Sequence, residues 1–185
     1  MAIRYRFDPR QSRFTVQAFA AGLLSALGHS PTFAVRDFSG RVRFEGDEVR
    51  GMVLELTVRA DSLDLLDKVK DSDRREILER MRREVLETST YPEILYQSGD
   101  VTSEPIAPGR FRVRIGGRLT LHGTTRDQPV DAEVQIFGDG LRLIGGCQLR
   151  LSDYRIKPVT ALAGAIKLKD ELKVAFDIVG IPEGP

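Results

Sequence analysis

Few side chains in this sequence could carry out chemistry, and they lie far apart along the chain. The 185 residues include two histidines, His29 and His122, and one cysteine, Cys147. These three could ligate a metal if the fold gathered them, but their spacing matches no recognised ligand motif. The sequence also lacks a nucleophile elbow, a P-loop, a dinucleotide-binding glycine pattern and a His-Glu-x-x-His helix. It therefore predicts no catalytic residue, no metal site and no cofactor.

Each of these three side chains has a structural interpretation beside any functional one. Cys147 falls at an apolar, inward position of a predicted strand, which is typical of a small buried residue. His122 precedes Gly123 in a hairpin connection, where a turn residue is expected. His29 lies beside an apolar segment of small residues. If either histidine has a function, it is His29, as a hydrogen-bond donor to a ligand head group.

The charge pattern argues against several classes of partner. The chain carries 28 basic and 27 acidic residues, for a net charge of +1, and the two signs are interleaved. This balance gives no general attraction to nucleic acid or to an anionic membrane. Outward arginines such as Arg112 and Arg114 have no interleaved aromatic residues, so a solvated face is expected rather than a nucleic-acid site.

Further compositional features concern location. A lone cysteine excludes an internal disulfide, so the fold does not depend on oxidising conditions. No segment approaches the ~20 apolar residues that cross a bilayer, and the first residues lack the apolar run of a signal peptide. The expectation is a cytoplasmic protein without stable membrane insertion.

Alternation of apolar and polar residues predicts about eight half-buried strands, each with one apolar face. The predicted strands cover 14–18, 38–44, 52–59, 94–98, 111–121, 130–136, 141–151 and 171–178. Residues 111–121 would extend ~36 Å, which at the ~40° tilt of a barrel gives a body ~28 Å tall. A β-sandwich is the alternative, although its strands are usually shorter. The prediction is an all-β, antiparallel eight-stranded β-barrel, in one domain over 1–185.

Two kinds of segment depart from this alternation. Residues 72–87 have helical spacing of apolar side chains and are expected to form a helix against the barrel or over one end. Residues 18–28 and 160–166 are apolar but built of small residues, which suits short helices or loops at the barrel mouth. Leu24, Leu27 and Leu162, together with His29, are the predicted portal residues.

Four landmarks, in this order, resemble the YceI-like family. They are Phe7-Asp8-Pro9-Arg10-Gln11-Ser12, Phe38-Ser39-Gly40, Tyr91-Pro92-Glu93-Ile94-Leu95-Tyr96-Gln97-Ser98 and Gly117-Arg118-Leu119-Thr120-Leu121-His122-Gly123-Thr124-Thr125. The resemblance runs from about residue 4 to residue 180. It implies a lipocalin-like barrel that holds a polyisoprenoid or another amphiphilic chain in a central tunnel. Many members are periplasmic and carry a secretory signal, which this sequence does not show.

Small inward residues such as Gly117 and Gly145 are expected to leave apolar volume for a long hydrocarbon ligand. The alternative is that phenylalanine rings fill the space opposite the glycines. The predicted tunnel lining comprises Phe14, Val16, Ala18, Phe38, Val42, Leu54, Leu56, Tyr96, Val113, Ile115, Gly117, Val134, Leu143, Gly145, Cys147, Val174 and Phe176.

Three functions remain open from the sequence. The first is a non-catalytic carrier, storage or sequestration protein for a long-chain isoprenoid or fatty-chain lipid. The second is an enzyme acting on a lipid-like substrate in the same cavity. The third is a homodimeric interaction module, in which the small-residue segments meet a partner.

Overall fold

The computed structural model describes residues 2–21, 30–46, 49–157, 159–161 and 166–183. These residues form a β-barrel with one short α-helix. The strands described are β1 (Ala2–Phe7), β2 (Arg13–Ala21), β3 (Thr32–Val35), β4 (Phe38–Glu45), β5 (Arg50–Arg59), β6 (Leu63–Leu65), β7 (Glu93–Ala107), β8 (Arg110–Leu121), β9 (Thr124–Asp127), β10 (Val130–Phe137), β11 (Gly140–Arg150), β12 (Thr160–Ala161) and β13 (Ile166–Pro182).

The strand pairs of the described barrel are all antiparallel. The closed ring runs β1-β4-β5-β7-β8-β10-β11-β13 and returns to β1, so it contains eight strands. Closure occurs where Phe7 of β1 lies opposite Gly180 of β13. On the same side of β13, β2 continues the line of β1, and Phe14 lies opposite Phe176. The predicted eight-stranded antiparallel barrel is confirmed.

Tight turns join several strands where the local backbone enters the left-handed region. Gly138, with φ of 56°, lies between β10 and β11. His122 and Gly123, with φ of 51° and 67°, form the two-residue connection between β8 and β9. Positive φ at both central residues is typical of a type I′ hairpin, whose twist matches that of the strands. His122 therefore does occupy a turn.

The end of the barrel that holds the β4–β5 and β10–β11 hairpins, here called the hairpin end, is solidly filled. Tyr5 and Phe44 stack there with ring centroids 5.8 Å apart. Val42, Val113 and Val134, which the sequence predicts along a tunnel, are at most 1% exposed and belong to this packed core. Strand parity placed them inside correctly, but aromatic side chains from neighbouring strands occupy the space beside them.

The opposite end, here called the helix end, carries the helical segment. Helix α1 spans Asp71–Arg80 and continues into a π-helical turn over Met81–Val85, close to the predicted 72–87. The Arg74 guanidinium donates to Asp64 Oδ1 at 3.0 Å and to the Leu65 carbonyl at 2.6 Å, which ties α1 to β6. Among the described residues, no helix has the length and apolar character to span a membrane.

Candidate functional site

The half of the barrel towards the helix end encloses a cavity of about 150 Å³. Its walls come from β1, β2, β3, β5, β6, β7, β8, β10, β11 and β13. Leu86, which follows the π-helical turn, and Leu151, which opens a 3-10 turn over Leu151–Tyr154, contribute to its lining at the helix end. No charged side chain lines it in the described part of the chain. An apolar cavity of this size takes up small apolar molecules and stays free of water. Binding pockets for larger ligands usually exceed ~300 Å³, so a long chain must extend beyond this space or displace part of its lining.

The predicted lining residues divide into two groups. Those that border the cavity are Phe14, Val16, Leu54, Leu56, Tyr96, Ile115, Leu143, Cys147, Val174 and Phe176. Those placed elsewhere are Ala18, Phe38, Val42, Val113, Gly117, Val134 and Gly145. Parity identifies inward positions, but the level along the barrel axis decides which of them meet empty space. That level depends on the stagger between neighbouring strands, which cannot be predicted from the alternation of apolar and polar residues.

The two glycines expected to leave volume allow close packing instead. A β-carbon on Gly117 would collide with the Tyr96 phenol and would lie 2.8 Å from the Gln97 carbonyl oxygen. A β-carbon on Gly145 would meet the Asp131 carbonyl oxygen and lie 2.7 Å from Cβ of Ala132. These positions are therefore filled by neighbouring strands, and the cavity volume arises elsewhere.

Phe38 and Ala18 lie outside the cavity for reasons of packing. The Phe38 ring meets Phe14 edge to face, with centroids 5.5 Å apart, and Phe14 in turn meets Phe176 at 6.2 Å. Phe14 and Phe176 border the cavity, whereas Phe38 packs beside Phe14 and is only 3% exposed. Ala18 is buried as well, at 4% exposure. Aromatic side chains thus fill part of the interior, as the alternative interpretation anticipates.

The polar atoms of the cavity wall cluster around Gln128. The Tyr96 hydroxyl donates to the Gln128 carbonyl oxygen at 3.1 Å, and the Gln128 N–H donates to the Gly117 carbonyl oxygen at 2.8 Å. Burial raises the pKa of Tyr96 well above its usual range, and the nearby Cys147 raises it further. Burial also raises the pKa of the Cys147 thiol to about 11. Both groups are protonated at neutral pH and so are poor nucleophiles.

A family model described as the YceI-like domain matches residues 5–180. The chain belongs to the YceI-like family. The family resemblance expected from the sequence is therefore confirmed. No match was found among curated proteins.

Solved structures share the fold of this YceI-like chain at low sequence identity. Burkholderia cenocepacia BcnA is 17% identical, with a TM-score of 0.70 over 94% of this chain and 98% of that one. A polyisoprenoid binding domain from Saccharophagus degradans, implicated in plant cell wall breakdown, is 15% identical, with a TM-score of 0.70 over 98% and 99%. A Campylobacter jejuni YceI protein is 16% identical, with a TM-score of 0.59 over 82% and 84%.

His122 of this YceI-like protein makes a specific contact at the helix end. Its Nε2 lies 2.5 Å from Glu87 Oε2, and its ring lies against Tyr91 with centroids 4.5 Å apart. The imidazole is 11% exposed, and its neighbour Leu121 borders the cavity. Sequence reasoning missed this cluster, because Glu87 is 35 residues away and no local pattern marks it. Among the described residues, no group of three or more His, Cys, Asp or Glu side chains could hold a metal.

The predicted portal residues His29, Leu24, Leu27 and Leu162 lie outside the described residues. Their roles therefore remain predictions. The described strand ends beside them are adjacent, since Ala21 of β2 lies opposite Lys167 of β13.

Proposed function

We infer that this YceI-like protein binds the hydrocarbon chain of an amphiphile inside its barrel. The ligand class is a polyisoprenoid or fatty-chain lipid, and the protein acts as its carrier, store or sequestering agent. The observation that carries this proposal is the cavity, whose described lining holds no charged side chain. Each methylene transferred from water into such a site contributes about 0.8 kcal/mol, so a chain with several buried carbons binds usefully.

The comparisons support this ligand class. The Saccharophagus degradans protein is described as a polyisoprenoid binding domain, and it shares the barrel over nearly the whole of both chains. Transfer of that ligand class to this chain is part of the proposal. The cavity observed here supports it independently, because a polar metabolite would find few hydrogen-bond partners among the described lining residues.

The described lining also favours binding over catalysis. Catalysis by proton transfer needs an acid or base whose pKa lies near the working pH. Burial raises the pKa values of Tyr96 and Cys147 further above neutral pH, so both groups hold their protons more firmly. His122 and Glu87 meet at the helix end, where neither of them borders the cavity. We therefore propose that the ligand leaves chemically unchanged.

Native mass spectrometry of protein purified from its own host tests this function. A bound species that organic extraction identifies as a long-chain amphiphile is the expected result. The extracted molecule should also rebind to the delipidated protein in stoichiometric amount. Co-purification of a polar metabolite, or a delipidated protein that takes up no long-chain amphiphile, would overturn the proposal.

A further inference from the structure

β9 and β10 together form an interrupted strand in the barrel wall. β9 and β10 pair with β8 in a single continuous register, with Asp127 opposite Arg118 and Val130 opposite Ile115. Only Gln128 and Pro129 separate them. On its other side this interrupted strand pairs with β11 over part of its length. That ladder runs from Phe137–Gly140 to Asp131–Gly146 and ends there among the described residues.

The sequence at the break explains why the ladder ends. Continuing the register past Asp131–Gly146 would bring Pro129 opposite Gln148, and proline has no N–H to donate. The backbone of Gln128 forms its hydrogen bonds on the side away from β11. Its N–H donates to the Gly117 carbonyl of β8, and its carbonyl accepts from the Tyr96 hydroxyl of β7. In the described chain, the one hydrogen bond found across the break is from Gln128 Nε2 to the Gln148 carbonyl, at 3.3 Å.

The break separates the internal cavity from a groove on the outer surface. That groove has a volume of about 550 Å³. Gln128, Cys147 and Val174 border both spaces, so these three residues form the wall between them. On the outer side Gly146 and Ala175 lie opposite each other, so the groove is lined at this point by two small residues. A β-carbon on Gly146 would collide with the Val174 carbonyl oxygen, so no side chain can cover the groove there.

We propose that this break is a side entrance, through which the hydrocarbon chain of the ligand enters the cavity while its polar end stays in the outer groove. The inference rests on the proposed function. Opening the passage displaces the Gln128 side chain and breaks no backbone ladder bond among the described residues. The described cavity lining offers no charged partner, whereas Gln148 and Lys173 border the groove and can solvate a polar head group.

A reversible cross-link tests the entrance. In the continued register Val130 lies opposite Cys147, and facing residues of antiparallel strands have Cα separations of about 4.5–5.5 Å, which a disulfide can span. The V130C variant therefore closes the break on oxidation, and the same protein after reduction is its matched control. The readout is the stopped-flow association rate of a dansyl-labelled undecanoic acid with delipidated protein.

We expect association to be at least about tenfold slower in oxidised V130C and to recover on reduction. Equal rates in the two states would overturn the side entrance while leaving the proposed function intact. If the parent protein itself takes up no probe, the proposed function fails and the entrance fails with it.

A second variant keeps the test decisive if the disulfide does not form. A175W fills the outer groove without entering the barrel, and S39W places the same side chain on the outer face of β4, away from the groove. We expect A175W to weaken probe binding about tenfold and S39W to leave it unchanged. Unchanged binding in A175W would show that the groove holds no part of the ligand and would overturn the proposal.

Discussion

The phenol of Tyr96 lies directly over Gly117, where a β-carbon would collide with its hydroxyl group. The same hydroxyl donates to the Gln128 carbonyl, so this contact links β7 and β8 to the break between β9 and β10. Glycine is therefore required at position 117 because the Tyr96 ring packs against its α-carbon. It does not provide ligand space.

The first prediction concerns this contact. G117A should lower the free energy of unfolding by ~1–3 kcal/mol, because the added carbon overpacks against the Tyr96 ring and the Gln97 carbonyl. Urea denaturation measures the change. G99A is the matched control: its β-carbon would lie 3.3 Å from the Gly116 carbonyl oxygen, so a much smaller loss is expected. Equal stability of G117A and the parent would contradict the packing argument.

The second prediction concerns the cavity. V16F replaces a small side chain with an aromatic ring that fills part of the apolar cavity, so it should weaken binding of the dansyl probe at least about tenfold. S39F adds a ring to an outward-facing position of β4, away from both the cavity and the groove, and should leave binding unchanged. Fluorescence titration of delipidated protein measures both affinities. Similar losses in the two variants would mean that the cavity is not where the chain binds.

The third prediction concerns alkaline stability. The pKa of Cys147 is raised from 9.0 to about 11, so the thiol ionises more readily once the chain unfolds. Its contribution to stability is complete below pH 9 and disappears as the pH rises towards 11. C147A should therefore lose less stability than the parent between these values, in denaturant unfolding at a series of pH values. Buried tyrosines such as Tyr154 have raised pKa values too, so both proteins should still weaken above pH 10. Parallel pH profiles for the two proteins would refute the assignment.

The fourth prediction concerns the helix end. H122N removes the contacts with Glu87 and Tyr91 while keeping a residue type that tolerates the left-handed turn conformation. Loss of one partly buried hydrogen bond should cost about 1 kcal/mol and speed amide exchange around Leu86 and Leu121. Hydrogen exchange with mass spectrometry measures the local effect. E79Q, which removes only the exposed pair with Arg83, should change neither quantity. Unaltered exchange in H122N would show that the contact does not secure this end.

Several features of the fold could be predicted from the sequence because they depend on neighbours two residues apart. Alternation identified which side of β8 faces inward, and Phe111, Val113 and Ile115 are indeed buried. The glycine turn at Gly138 and the histidine turn at His122 were also apparent, because turn conformation is set within a few residues. β1 was not apparent as a strand, although it closes the barrel, because its few residues become ordered by pairing with the distant β4 and β13.

The candidate site shows what could not be predicted from the sequence. The residue types determined by themselves that Cys147 is a small inward residue of its strand and that Pro129 cannot donate to a ladder. Only the tertiary structure decided that the β10–β11 ladder ends at Asp131 and Gly146, that Tyr96 covers Gly117, and which inward residues border the cavity. The physical reason is that strand stagger and the filling of space depend on residues tens of positions apart. Their meeting is set by closure of the whole barrel, and no local pattern encodes it.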